Sequence, residues 1–121
     1  MRVETRVEAS ADDAEEDALG AVDRGSSDLE LVFEGGSNQV VGIRFDGVPV
    51  PSGATILEAS VQFQVDETGS DATSLTLEGE AVDTAAPFLA ATGDISSRPR
   101  TVASVSWNPV PWLTLGEAGP D

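Results

Sequence analysis

The sequence contains no cysteine, no histidine and no lysine, and each absence removes a class of chemistry. Without cysteine there is no disulfide framework and no thiol nucleophile. Without histidine, a serine nucleophile lacks its usual general base, and zinc lacks its commonest nitrogen ligand. Without lysine there is no G-x-x-x-x-G-K phosphate-binding loop. We therefore expect a protein that is not an enzyme.

Acidic residues outnumber basic ones by 22 to 6, which gives a net charge of −16 at pH 7. A field of this sign repels nucleic acid and anionic membrane surfaces, so neither is expected as a partner. It attracts divalent cations and resembles the surfaces that keep halophilic proteins soluble in salt. Because acids are so abundant, two carboxylates at a glycosidase-like spacing carry no information. No apolar run reaches the length of a membrane span, so membrane insertion is not expected.

The most strongly patterned stretch is Val40–Val65, with the sequence VVGIRFDGVPVPSGATILEASVQFQV. Apolar and polar side chains alternate on both sides of a turn rich in proline and glycine, residues that interrupt a central strand. The pattern predicts a strand, a turn and a second strand in an antiparallel relation. We expect the core to form around four side chains, Ile43, Phe45, Val61 and Phe63.

Shorter alternating segments flank this pair. The sequence predicts further strands at 1–9, 19–22, 28–34, 74–82, 101–107 and 113–115. The acidic segment 10–17 lacks an apolar stripe and is predicted as a loop or single turn, and 83–92 as a short helical turn or an irregular crossing. Many short strands separated by turn residues predict an all-β fold, specifically an antiparallel, jelly-roll-like β-sandwich that forms one module over residues 1–121.

The run GIRFDGVPVPSGATILEASVQFQVDE, at 42–67, resembles the core of jelly-roll modules that accompany secreted bacterial enzymes and adhesins. The segments SSDLEL (26–31), ISSRPRT (95–101) and VSWNPVPW (105–112) extend the likeness, which is to DNRLRE-type and related carbohydrate-binding-like β-sandwich domains. The resemblance implies an eight-stranded sandwich and an extracellular or cell-surface location. It also implies calcium in some relatives and a glycan-binding or spacer role beside a separate enzyme.

Modules of this kind continue with further strands after the VSWNPVPW segment, whereas this sequence stops at Asp121. We therefore expect one of three arrangements: a sandwich without its C-terminal strands, a minimal form of the module, or a sandwich that borrows a strand from another chain. An unfinished sheet leaves an exposed edge, and an exposed edge favours pairing with another polypeptide.

A dense acidic block, SADDAEED at 10–17, is the first candidate site. Calcium takes six to eight oxygen ligands, which carboxylates and backbone carbonyls can supply. The predicted ligands combine this block with two acids of the next predicted strand: Asp12, Asp13, Glu15, Glu16, Asp28 and Glu30. The spacing is not that of an EF-hand. The alternative is a solvated acidic loop that only gathers counterions. A weaker cluster comprises Asp66, Glu67 and Asp71.

Three residues are candidates for ligand binding, namely Trp112, Arg98 and Arg100. Trp112 lies among prolines outside a regular strand, where the face of its indole ring can stack on a sugar. Arg98 and Arg100 flank a proline and are able to grip a carboxylate or uronate through bidentate hydrogen bonds. The alternative for each arginine is a salt bridge to a neighbouring acid. Trp107 is predicted as a core residue.

Two functions remain open. The first is a non-catalytic accessory module of a secreted bacterial protein that binds extracellular polysaccharide, which the resemblance, Trp112 and the two arginines support. The second is a calcium-stabilised structural or adhesive spacer, or a strand-sharing assembly module. The acid load, an aromatic content of 5% and the unfinished sheet support this second function. The expected partner is accordingly a polysaccharide or another protein chain bound at an open sheet edge.

Overall fold

A computed structural model describes residues 1–118, apart from the side chain of Glu34, and shows an all-β chain. Its strands are β1 (Asp13–Glu16), β2 (Val22–Asp23), β3 (Phe33–Glu34), β4 (Ser37–Asn38), β5 (Val40–Ile43), β6 (Leu75–Glu80) and β7 (Arg100–Trp107). They form a three-stranded sheet in the order β2-β1-β5 and two ribbons, β3-β4 and β6-β7. The predicted all-β, antiparallel class is confirmed. Within residues 1–118 no helix is long and apolar enough to cross a membrane.

The chain forms two compact units. Unit 1 contains Met1–Val50 and Glu78–Ala103, and unit 2 contains Pro51–Leu77 and Ser104–Asp121. The last three residues of unit 2, the end of the predicted polar tail, lie outside the described range. Each unit therefore combines separated parts of the sequence, and β6 and β7 each contribute residues to both. The single module over 1–121 stays a prediction.

The sheet of unit 1 is built around β1, which pairs antiparallel with β2 on one side and β5 on the other. Its register places Asp13 opposite Ile43 of β5. Asp17 stabilises the turn after β1, because its carboxylate accepts the N–H groups of Leu19 and Ala21 at 2.8 and 2.9 Å. The prediction of a loop or single turn at 10–17 is therefore wrong, since this acidic segment supplies the central strand.

A small hydrophobic core packs against this sheet. Its buried members are Ala14, Phe88 and Ile95, and Val22 and Val40 pack on them. The core therefore draws on β1, β2 and β5 and on two positions in the segments that precede β7. Phe88 lies in the segment 83–92, which was predicted to be irregular or a short helical turn and contains no strand.

Gly42 of β5 lies where the Phe88 ring comes closest to the sheet. A Cβ atom added at Gly42 would lie 2.5 Å from Cζ of Phe88, nearer than carbon atoms in a protein approach one another. The Phe88 N–H donates to the carbonyl oxygen of Ala11 at 2.8 Å, which ties the ring to the start of the sheet. Glycine is thus required at this position by the close approach of an aromatic ring.

Unit 2 is joined by isolated pairings in its described part. Two antiparallel bridges link Gln64 with Ala118 and Gly69 with Trp112. The Val65 N–H donates to the carbonyl oxygen of Glu117 at 2.9 Å, beside the first of these bridges. Val65 and Leu75 are the buried hydrophobic residues of this unit. Its interior is consequently small.

The predicted arrangement of a strand, a turn and a second strand over Val40–Val65 is wrong in its second half. β5 ends at Ile43, and residues 56–63 belong to no strand. Of the four predicted core residues, Ile43, Phe45 and Phe63 are half-buried and Val61 is exposed. Alternation describes a pattern of side chains, but a strand also needs a neighbour that bonds its backbone. Residues 56–63 have the pattern without that neighbour.

The other predicted strands have mixed outcomes. Segments 74–82 and 101–107 are confirmed as β6 and β7, and segments 19–22 and 28–34 are represented only by the two-residue strands β2 and β3. Segments 1–9 and 113–115 form no strand. Burial nevertheless alternates along the first of them, where Val3, Thr5 and Val7 are half-buried between exposed neighbours. Of these segments, only 74–82 and 101–107 become strands of six residues or more.

β6 and β7 form an antiparallel ribbon. The Ala81 N–H, just after β6, donates to the carbonyl oxygen of Pro99, just before β7, at 2.8 Å. The Gly79 N–H donates to Oγ1 of Thr101 at 3.1 Å. Because later residues of one strand face earlier residues of the other, the two strands run in opposite directions.

The contact between Gly42 and Phe88 yields a first prediction. The Gly42→Ala variant is expected to lower the free energy of unfolding by about 1–3 kcal/mol, because the methyl group forces the ring out of its position. Chemical denaturation followed by tryptophan fluorescence and circular dichroism measures the loss. Gly69→Ala is the matched control, since a Cβ at Gly69 meets nothing within 4 Å. Equal stability of the two variants would contradict this packing.

Candidate functional site

Three acidic side chains are buried at β1. Asp12, Glu15 and Glu16 are 6%, 5% and 3% exposed. Burial of an unpaired carboxylate is strongly unfavourable, so each of them requires hydrogen-bond donors. Over residues 1–118 no buried side-chain nitrogen or oxygen lacks a hydrogen-bond partner. Three of the six predicted calcium ligands are therefore buried groups that connect segments of unit 1.

Asp12 is paired with Arg44, which directly follows β5. The Arg44 guanidinium donates to Oδ1 of Asp12, to Oδ1 of Asp46 at 2.9 Å and to the carbonyl oxygen of Ala85 at 2.8 Å. The hydrogen bond to Asp12 is the main cause that raises the pKa of Arg44, and burial opposes it. One cation thus joins the start of the sheet, the end of β5 and the segment that leads to Phe88.

Glu16 holds a turn that is distant in sequence. Its Oε2 atom accepts the backbone N–H groups of Ile95 and Ser96, both at 2.8 Å. Hydrogen bonds to an ionised acceptor are stronger than those between neutral groups. Glu15 points to the opposite face of the strand and accepts the N–H of Glu30 at 3.4 Å. Both glutamates therefore accept backbone donors from other segments.

The predicted calcium ligands of the acidic block do not converge. Successive side chains of a strand point to opposite faces, so Asp13 and Glu15 lie across the sheet from Ala14 and Glu16. Asp12 and Glu16 are four residues apart, which is about 13 Å along a strand and too far for one ion to bind both carboxylates. Strand geometry therefore separates a set of acids that the sequence places side by side.

The other two predicted metal ligands, Asp28 and Glu30, lie in the segment before β3 and are half-buried. Oδ1 of Asp28 accepts the hydroxyl groups of Ser26 and Ser27 at 3.2 and 3.4 Å. These are long hydrogen bonds to exposed hydroxyl groups. Calcium binding stays a prediction, and it now depends on these two residues rather than on the acids of β1.

Arg98, a predicted ligand-binding residue, forms the salt bridges that were its alternative. Its guanidinium donates to Oδ2 of Asp94 and Oε2 of Glu80, both at 3.0 Å. It also donates to three backbone carbonyl oxygens and lies 4.5 Å from the centre of the Phe88 ring. Its side chain is 14% exposed. Arg98 therefore closes the core of unit 1 and has little surface to offer a ligand.

The ion pair between Asp94 and Arg98 is held in its charged form. Burial raises the pKa of Asp94, but the N–H of Leu89 and the Arg98 guanidinium lower it, and the outcome lies below the ordinary value of 3.8. Burial lowers the pKa of Arg98, but its hydrogen bonds to Asp94 and Glu80 outweigh this effect and raise it. Both side chains therefore carry their charges at neutral pH.

Arg100, the other predicted arginine, begins β7 and donates to Oε2 of Glu78 on β6 at 2.7 Å. Its side chain is 40% exposed, so this is a surface ion pair. Such pairs contribute about 0–1 kcal/mol and exchange partners readily. Arg100 is consequently more accessible to an incoming carboxylate than Arg98 is.

Trp112, the third predicted ligand-binding residue, belongs to a cluster of aromatic rings in unit 2. The rings of Phe63 and Trp107 are stacked with centres 5.5 Å apart and planes at 14°. The rings of Trp107 and Trp112 are 6.3 Å apart and tilted by 49°. All three residues are half-buried, so Trp107 is less deeply enclosed than predicted. The cluster retains partly exposed aromatic surface.

A shallow groove in unit 2 is lined by residues 70–74 together with Asn108, Pro109 and Pro111. The prolines give it an apolar side, and Ser70, Thr73 and Asn108 supply hydroxyl and amide groups. Apolar surface with a few polar groups is typical of sites for small polar ligands. Pro111 directly precedes Trp112 in the chain, which places the groove next to the aromatic cluster.

β7 is exposed on both faces for most of its length. Val102 is 104% exposed and Val105, which points to the opposite face, is 63% exposed. β7 pairs with β6 on one side, and no other strand among residues 1–118 pairs with its second edge. The sequence predicts this strand correctly but not its exposure. The sequence places one valine on each face of this strand, Val102 and Val105. Apolar residues on both faces are typical of strands that are covered on both sides.

No protein-family model, no curated protein and no solved structure matches this chain. The resemblance to jelly-roll modules of bacterial extracellular proteins thus stays a prediction. The function must be inferred from the residues and geometry described above.

The ion pair of Asp94 predicts how stability depends on pH. Because the folded-state pKa of Asp94 lies below its ordinary value, its contribution is present above about pH 4 and is lost as the pH falls through the folded-state pKa. The Asp94→Asn variant should therefore melt at a lower temperature than the wild type at neutral pH, and the gap should close in acid. Thermal melts across this pH range measure it, with the exposed Asp83→Asn as control. A gap independent of pH would contradict this assignment.

Proposed function

We propose that this chain is a non-catalytic assembly module, which binds another polypeptide by pairing a β-strand with the second edge of β7. The observation that carries the proposal is an eight-residue strand that is bonded on one side and exposed on both faces. The bound segment is extended and uncharged or basic, because a chain with a net charge of −16 repels an acidic partner. This is one of the two functions that the sequence leaves open.

The ribbon of β6 and β7 contains two strands. A two-stranded ribbon alone is marginally stable in water, and three or more strands with an apolar face are needed for independent stability. The second edge of β7, with which no other strand among residues 1–118 pairs, extends over about 26 Å. Soluble proteins commonly protect such edges with lysine or proline, and the sequence of β7, RTVASVSW, contains neither. An added strand satisfies the edge and places cross-strand side chains beside the exposed valines.

The proposal includes the arrangement of the sheets as a β-sandwich. We propose that the antiparallel pairings are parts of an open, jelly-roll-like β-sandwich to which the partner adds a strand. The pairing of β1 with β2 and β5, the ribbon of β6 and β7, and the resemblance to bacterial jelly-roll modules support it. In strand addition of this kind, main-chain hydrogen bonds supply affinity and alternate side chains supply specificity.

The setting that suits this function is outside the cell or at its surface, as an accessory part of a secreted bacterial protein. The support is the resemblance together with an acidic composition of the kind that keeps proteins soluble in salt. A structural calcium ion belongs to this proposal as a stabiliser, with Asp28 and Glu30 as its ligands in unit 1.

The proposal predicts the binding of short strand-forming peptides. Fluorescently labelled peptides of alternating threonine and valine should bind, lysine-containing versions at least as well and glutamate-containing versions more weakly. Val102→Pro should weaken binding about tenfold or more, a loss of about 1.4 kcal/mol, because proline removes a backbone donor. Val102→Thr retains that donor and is the matched control. Fluorescence anisotropy measures the affinities.

Two results would contradict strand pairing at β7. One is that no peptide of the series binds to the folded chain. The other is that Val102→Pro and Val102→Thr bind the peptides equally well while circular dichroism shows both variants folded.

A second candidate function, the binding of extracellular polysaccharide, is favoured by the aromatic cluster in unit 2. Partly exposed rings stack on sugars through their apolar faces, and the groove lined by residues 70–74 supplies hydroxyl groups close to Trp112 in the chain. Arg98 and Arg100 belong to unit 1, so this candidate depends on Trp112 and the groove. The ligand class would be a neutral sugar, because Asp71 in the groove repels uronates.

This second candidate predicts the effect of removing one ring. Trp112→Ala should weaken the binding of a neutral oligosaccharide about threefold to tenfold, through the loss of roughly 0.5–1.5 kcal/mol of stacking. Isothermal titration against ligands selected on a glycan array measures it. Val110→Ala, at an exposed neighbouring position, is the control. A glycan array without any binder would remove this candidate and leave strand pairing untouched.

A further inference from the structure

We infer that the strand bound by β7 is β7 of a second copy of this chain, paired antiparallel about Ser104 to give a sheet in the order β6-β7-β7-β6. This inference rests on the proposed function and names its partner. It follows from the direction of the backbone groups, the parity of the side chains and the charge of the strand.

The hydrogen bonding between β6 and β7 indicates which backbone groups of β7 point toward β6 and which point toward the second edge. The carbonyl oxygen of Pro99, just before β7, accepts the N–H of Ala81, just after β6, and so points toward that side of the ribbon. In an antiparallel pair, the N–H and C=O of one residue point to the same side, and successive residues alternate. Odd-numbered positions of β7 therefore face β6, and the groups of Val102, Ser104 and Ser106 face the second edge. A partner strand must present its own outward-facing positions to these.

A second copy meets this requirement only when even positions face even positions. A two-fold axis at Ser104 does so, and places Val102 opposite Ser106 of the second copy. The side chains also favour a register in which even positions face even positions. A register shifted by one residue would bring the apolar face of one copy beside the polar face of the other. With the axis at Ser104, Thr101 lies opposite Trp107, a pairing of β-branched and aromatic residues that stabilises sheets.

Charge favours a second copy at this strand despite the acidic chain. None of the 22 acidic residues lies on β7, whose one charged residue is Arg100. Two copies therefore meet along an edge without facing carboxylates. Repulsion between the remaining charges acts over longer distances, and salt screens it, because the Debye length falls from about 30 Å at 0.01 M to about 3 Å at 1 M. Association is consequently expected to strengthen with ionic strength.

The expected assembly has a stable size. Four strands exceed the minimum for a sheet that is stable in water, whereas each ribbon alone has two. The sheet brings Val105 of one copy opposite Ala103 of the other, on the same face as the half-buried Trp107. Further copies cannot add through β7, because both of its edges are then occupied.

The first experiment measures the oligomeric state of the whole chain by sedimentation velocity across this range of ionic strength. We expect a monomer at low salt and a dimer at high salt. Val102→Glu, at an exposed position two residues from the axis, should weaken the dimer about tenfold or more. Leu19→Glu adds the same charge at an exposed site in the turn between β1 and β2 and should leave the dimer unchanged. A monomer at every salt concentration overturns the inference.

The second experiment tests the register, and the absence of native cysteine makes it direct. With the axis at Ser104, the Cα atoms of this residue in the two copies are about 5.5 Å apart, within the range that a disulfide spans. Ser104→Cys should cross-link rapidly under mild oxidation at high salt. Val102→Cys should not, because its Cα atoms are separated by about 13 Å along the strand. Equal or faster cross-linking at 102 overturns this register.

The two experiments separate the inference from the proposed function. If the strand peptides bind the folded chain while it stays monomeric in high salt, strand pairing at β7 stands and the second copy is excluded as its partner. If neither peptides nor a second copy bind, both proposals fail. A dimer that Val102→Glu and Leu19→Glu weaken equally would place the interface away from β7 and also overturn the inference.

Discussion

A buried carboxylate has to be supplied with donors, and this constraint organises unit 1. β1 and the residue before it carry three such groups, Asp12, Glu15 and Glu16. Their donors come from Arg44, from Glu30 and from the turn at 95–96, so the segments that provide them are brought to the strand. The sheet, the core around Phe88 and that turn therefore depend on one another. Removal of a donor would weaken the compensation of a charge in the interior.

The class of the fold could be predicted from the sequence, and so could its longest strands. β6 and β7 show alternation in their residues, and the structure provides each with the other as a bonded neighbour. β1 could not be predicted in this way, because DAEE has no apolar face and becomes a strand only when Arg44 and Ile95 supply donors from distant positions. Residues 56–63 show the opposite case, since they have the alternating pattern but no neighbouring strand.

The scarcity of basic residues explains why the candidate site differs from its prediction. In a chain with 22 acids and 6 arginines, each arginine near the interior has several carboxylates competing for it. Arg98 and Arg44 are consumed by internal pairs, and Arg100 is bound at the surface. Rarity of a residue type therefore did not indicate a ligand site here. The informative feature was a strand without charge on most of its length, whose significance depends on exposure that only the structure shows.

The connectivity of unit 1 has a consequence for how the chain is made. Glu16 and its donor at Ile95 are 79 residues apart, and the strand that contains Glu16 is buried by that contact. During synthesis, the acidic strand leaves the ribosome long before the turn that donates hydrogen bonds to Glu16 has been made. It must therefore remain solvated until most of the chain has emerged. Contacts of such long range slow folding because the intervening chain has to be ordered first. The dense negative charge of that segment favours its solubility during this interval.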